Sequence, residues 1–150
     1  MIAFTVYGKA APAGSKRGFY NAKAARVIIT DASKNSRPWK AQVSDAAAEA
    51  MNGGALLNGP VELSLTFYVP RPKGHFGAKG VRPSAPSSPT VKPDLLKLAR
   101  AVEDALSGIV YRDDAQIVTE HLEKRYGEPA RVDIQCNDAT LSVLEREAAA

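Results

Sequence analysis

At 150 residues, with 45% apolar and 7% aromatic side chains, the chain has the size and makeup of one globular domain and leaves little material for a second core. No apolar run approaches the ~20 residues of a membrane span, the N-terminal MIAFTVYGKA lacks the pattern of a secretory signal, and Cys136 has no second cysteine for a disulfide, so a cytoplasmic setting is expected. The net charge of +4 conceals an asymmetry: residues 1–100 carry 15 Lys/Arg against 5 Asp/Glu, and residues 101–150 carry 5 against 11. Segregation of this kind points to a polyanionic partner, most simply nucleic acid, because clustered cations displace counterions from phosphates.

IAFTVY (2–7) is rich in β-formers and partly alternating, so it predicts a strand. GKAAPAGSKRG (8–18) predicts a loop carrying Lys16 and Arg17 as backbone contacts for DNA. RVIIT (26–30) predicts a second strand, with Phe19 and Tyr20 opening a hairpin partner. Ser36 and Pro38 then start a helix whose Trp39, Val43, Ala46, Ala47 and Ala50 recur at spacings of three and four, and Asn52-Gly53-Gly54 stops it. VELSLTFYV (61–69) alternates Val61, Leu63, Leu65, Phe67 and Val69 on one face and predicts a strand.

Residues 70–93 hold six of the ten prolines, so neither helix nor sheet is expected to persist there. Their cations Arg71, Lys73, Lys79, Arg82 and Lys92, with His75 and Phe76 among them, suit phosphate contact beside a stacking ring. After Pro93, Leu95, Leu98, Ala99, Val102 and Leu106 form the apolar stripe of a second helix, ended by Ser107-Gly108. QIVTEHLEKRY (116–126) predicts a strand with Val118, Leu122 and Tyr126 on one face, and RVDIQC (131–136) predicts the last. Residues 138–150 predict a weakly ordered tail. The order implies one α+β domain over 1–150, with a small mixed sheet and two main helices.

The carboxylates at the second helix admit two readings. In the plain one, Asp94 caps the helix for ~1 kcal/mol, Asp104 pairs with Arg100 four residues earlier, and Asp113 and Asp114 cap a turn. In the other, Asp94 and Asp114, with Asp113 adjacent, meet as ligands of Mg²⁺, an ion that takes one or two carboxylates and leaves its other positions to water and phosphate oxygen.

The stretch KPDLLKLARAVEDALSG followed by YRDDAQIV resembles the RusA-type Holliday junction resolvases, particularly their phage-borne relatives. In that family Asp-x-Asp-Asn-Leu-x-Lys opens a helix that leads to Asp-Ala-Leu and then to an Asp-Asp-x-Gln turn. The likeness is specific over 92–118 and looser elsewhere. It implies a homodimeric endonuclease of the bacterial host cytoplasm, encoded by a phage or prophage. The enzyme would use Mg²⁺, with Mn²⁺ as the second candidate, and nick branched DNA at four-way junctions in pairs. The family's first metal carboxylate falls on Asp94 and its late one on Asp114, with Asp113 adjacent. Its second carboxylate falls on Leu96, its Asn on Lys97, and its catalytic Lys on Arg100, a permanent cation that cannot serve as a proton donor. Lys97 and Arg100 are then expected to steady phosphate charge, and Arg112, preceding the two acids, joins the cations expected on DNA. The alternative is a branched-DNA-binding protein that has lost cleavage at Leu96.

Overall fold

A computed structural model describes residues 1–14, 16–31, 34–140, 144 and 148. A four-stranded sheet forms from β1 (Ile2–Tyr7), β4 (Val61–Val69), β7 (Ile117–Tyr126) and β8 (Arg131–Asp138), in the order β1-β8-β4-β7. β8 runs antiparallel to both neighbours, whereas β4 and β7 are parallel, so the sheet is mixed as expected. A parallel pair needs a crossover, and α2 (Leu95–Leu106) supplies it between β4 and β7.

The alternation in the sequence is what makes this sheet one-sided. Val61, Leu63, Leu65 and Phe67 are all buried on β4, and the register sets Phe4, Ile134 and Leu65 in one row and Val6, Val132 and Phe67 in the next. Against that face lie α1 (Ser36–Met51), through Trp39, Val43 and Ala47, and α2, through Leu98, Ala99, Val102, Ala105 and Leu106. Losing a side chain such as Leu98 from this layer costs about 2–5 kcal/mol. Ala50, expected on the α1 stripe, is exposed, and Met51 beside it packs against the core instead. On β7, Leu122 and Tyr126 are half-buried while Val118 is exposed. At the far edge of the sheet, Gln42 of α1 donates from Nε2 to the Tyr7 carbonyl at 2.5 Å.

Two segments are more regular than the sequence suggests. β2 (Lys16–Asn21) pairs with β3 (Arg26–Asp31), so the loop expected over 8–18 becomes a hairpin arm from Lys16. Pairing supplies what the local sequence lacks: Asn21 Oδ1 accepts from the backbone N–H of Lys23 and Ala24 and closes the turn. Residues 70–93 contain a 3₁₀ turn (Lys73–His75) and a small hairpin of β5 (Phe76–Gly77) and β6 (Gly80–Val81). Arg71 ties them down, donating to Pro86 O at 2.7 Å with its guanidinium 4.0 Å from the centre of the Tyr126 ring. The last strand also runs farther than expected, through Asp138, and the Ala139 N–H is fixed to Pro60 O, so 138–140 are anchored. The rest of the expected tail lies outside the described residues, save 144 and 148.

Candidate nuclease site along the second helix

Asp94 stands at the N-cap of α2. Its backbone carbonyl accepts from Leu98 N, but its side chain makes no capping bond, and its Oδ2 lies 3.5 Å from Lys97 Nζ. The segment before β2 is held against this first turn, because Ala13 N donates to Lys97 O. Between the starts of α1 and α2 the chain leaves a cavity of about 570 Å³ that Asp94 and Lys97 line together with Lys9 and Lys92. Lys124 of β7 secures its rim by donating from Nζ to Val91 O and Pro93 O.

Asp114 lies elsewhere. It lines a second depression, of about 480 Å³, with Glu103 of α2 and Glu120 of β7. Glu103 is nine residues beyond Asp94, ~13 Å along the helix axis. Burial pushes the Glu103 carboxyl up to about 7, and the charge of Glu120, a hydrogen bond with Glu120, and the charges of Asp114 and Asp104 push the same way. The backbone there is fixed: the Glu103 carbonyl accepts from Ser107 N, Ser107 Oγ and the buried Tyr111 hydroxyl. No spacing in the sequence pairs Glu103 with Glu120, since their meeting depends on how α2 lies on β7.

Asp113 fulfils its plain reading. Its Oδ1 accepts from Ala115 N at 2.9 Å, and it caps the 3₁₀ turn Asp114–Gln116 in a capping box with Gln116. Gln116 explains its own place in the motif. Its Oε1 accepts from the backbone of Arg112 and Asp113, and its Nε2 donates to Leu57 O and Gly59 O, which locks the turn to the segment before β4. Asp104 departs from its reading: Lys40 of α1, not Arg100, is its partner, at 2.6 Å. The two helices pack side by side, and that brings the lysine closer than the expected i,i+4 neighbour.

Of the expected DNA contacts, Lys73, Lys79, Arg82 and Lys92 are exposed, and Arg71 is half-buried against Tyr126. Arg112 is exposed and donates to Asn58 Oδ1. The side chains of Lys16 and Arg17 lie outside the described residues. Leu96 is 71% exposed and shares with Arg100 and Glu103 one face of α2, at positions i, i+4 and i+7.

Residues 9–137 match the family described as Endodeoxyribonuclease RusA. The chain belongs to that family. It is 31% identical over 142 residues to the Uncharacterized protein YqaN of Bacillus subtilis (strain 168), covering 93% of this chain and 97% of that protein. A nuclease family of this kind calls for a divalent cation, and the described donors can be tested against one. Among the described residues no three His, Cys, Asp or Glu side chains are already grouped as a metal site, and Asp94 and Asp114 line separate depressions. The hard carboxylate oxygens beside Asp114 do suit such an ion. Burial first, and then the charge of Glu120, favour a proton on Glu103, and a divalent cation would relieve the repulsion between the two acids.

Proposed function

We propose that this member of the RusA family is a structure-selective endodeoxyribonuclease that nicks four-way DNA junctions, acting as a homodimer with Mg²⁺ or Mn²⁺. The observation that carries this reading is the polarity of α2. Its first turn lines a cavity with lysines, its later turns meet two acids from β7 and the turn before it, and the exposed face bearing Arg100 joins the two.

Asp114, with Glu103 and Glu120 beside it, would hold the cation, and Asp94 would act from the neighbouring end of the helix, where the strand enters. Bound there, the ion would polarise a phosphodiester and supply the attacking water in its hydroxide form. The protein's own groups do the rest. Lys97 and the free N–H groups of the first turn of α2 attract a phosphate. Arg100 holds charge on the non-bridging oxygens without giving up a proton. Asp113 shapes the turn that aims Asp114. Lys16, Arg17, Arg71, Lys73, Lys79, Arg82, Lys92 and Arg112 would track the flanking backbone, within a single domain over 1–150. Two-fold pairing would supply the two equivalent sites that matched cuts need. A phage or prophage origin and work in the host cytoplasm fit the same reading.

A second reading has its own support. Leu96 presents exposed hydrocarbon where the resemblance expects a carboxylate, which suits a protein that binds junctions without cutting them. A labelled four-way junction incubated with and without Mg²⁺ separates the two: paired nicks support the nuclease, a shifted but intact junction supports the binder, and a junction neither nicked nor shifted removes both.

A further inference from the structure

The cavity at the first turn of α2 holds more than a phosphate needs. Lys9, Lys92 and Lys97 stand around an apolar floor that includes Pro12, Pro38, Pro93 and Trp39. Lys9 and Lys92 are exposed, and among the described residues neither is paired with an acid. Lys97 keeps Asp94 at 3.5 Å, which offsets the one negative charge on the lining. Trp39 is only 4% exposed, yet its indole N–H has no hydrogen-bond partner among the described residues. Gln42 also lines the cavity and has its Nε2 committed to Tyr7 O, leaving its carbonyl oxygen for a donor. A free phosphate alone would leave most of the volume unfilled.

From this geometry we infer that the cavity is a pocket for one unstacked nucleotide of the bound DNA strand, with its phosphate among Lys9, Lys92 and Lys97 and its base against the floor of proline rings. This rests on the endodeoxyribonuclease reading and adds to it a place where a single base leaves the stack. Cations beside an apolar floor suit an unpaired nucleotide, whose phosphate and base take one each, and unstacking costs least where pairing is already interrupted, as at a junction centre.

Trp39 is the only tryptophan in the chain, so intrinsic fluorescence reads this cavity directly. The full-length protein is titrated with dAMP, dCMP, dGMP and dTMP, and in parallel with inorganic phosphate and with the matching nucleosides. The expected result is a saturable change in Trp39 emission with at least one mononucleotide, several-fold tighter than with phosphate or nucleoside alone. Lys9→Ala with Lys92→Ala should weaken it tenfold or more at an unchanged melting temperature. No saturable change with any mononucleotide, or an equal affinity for phosphate alone, overturns the pocket. The readout needs no cleavage. A protein that nicks junctions while Trp39 stays silent keeps the nuclease reading and loses this one, and a Trp39 response in a protein that neither binds nor nicks junctions loses both, because the nucleotide is then not one of a bound strand.

Discussion

The two ends of α2 are built on opposite principles. At its start, lysines from three segments face an apolar cavity, and the single acid there is matched by Lys97. About two and a half turns on, Glu103, Glu120 and Asp114 line one depression, and burial, with the neighbouring acid charges, raises the Glu103 carboxyl to about 7. One end concentrates positive charge and the other negative charge. A helix that is merely a structural crossover has no reason to separate its charges this way. One that guides a polyanion towards a metal does, so the comparison can be attacked from either end.

The largest effect should come from the acid end. Asp114→Asn is expected to lower Mg²⁺-dependent nicking of a labelled junction by 100-fold or more while binding stays intact or tightens, because it removes both a ligand and a negative charge facing DNA. Asp94→Asn should fall as far if both ends serve one phosphodiester. Parental nicking by Asp94→Asn would instead confine the first turn to binding.

Next in size is salt dependence, which tests the cationic end. Each neutralised phosphate contributes about −0.9 to the log–log slope, so Lys92→Ala with Lys97→Ala should flatten the slope by up to ~2 units. Glu120→Gln should not flatten it. If the two variants give equal slopes, the segregation of charge along α2 has no bearing on DNA.

A smaller effect concerns pH without metal. The Glu103 carboxyl ordinarily titrates at 4.5 and is raised to about 7 in the fold. The folded protein therefore holds the proton more tightly than the unfolded chain. The stability this contributes is fully present below pH 4.5 and is lost as pH rises through about 7. Thermal melts of Glu103→Gln should lack that decline and lie above the parent at pH 8. Parallel profiles for the two proteins would mean that burial and the neighbouring acids do not raise the Glu103 carboxyl.

The smallest effect belongs to Leu96→Asp. The side chain is 71% exposed, so the melting temperature should barely change, with a loss within ~0.5 kcal/mol that the helix dipole offsets. Its reach towards the acid end is read in the Mg²⁺ concentration for half-maximal nicking. A fall of several-fold would join the two ends into one site, and no change would keep them apart.

The sequence made the layers legible because burial follows from local spacing. Val61 to Phe67 alternate, and Leu98, Ala99, Val102 and Leu106 recur at helical intervals, so both elements could be placed within a residue or two. What escaped depended on partners distant in the chain. Lys16 joined a strand only because Asp31 lies opposite it, and the small hairpin at 76–81 exists beside an anchor made by Arg71 and Tyr126. The site was legible as a list of acids but not as an arrangement. Asp94 and Asp114 were read together because both lie in the motif, whereas Glu103 and Glu120 come together through the crossover from β4 to β7. The lysine cavity was hidden for the same reason, since Lys9, Trp39 and Lys92 are separated by dozens of residues.

The edges of the sheet differ in how they resist unwanted association. β7 carries Glu120, His121, Glu123, Lys124 and Arg125, a row of charges that discourages another strand from adding to it. β1 at the other edge, IAFTVY, has no charge at all, and its Tyr7 carbonyl is occupied by Gln42 of α1. Protection there is borrowed from a helix. Whatever loosens α1, whether heat, mild denaturant or truncation, uncovers the edge of the four-stranded sheet that has no charge to repel a neighbour. Precipitation of this protein on storage should therefore start at β1, and a lysine introduced at the exposed position 3 of that strand should delay it.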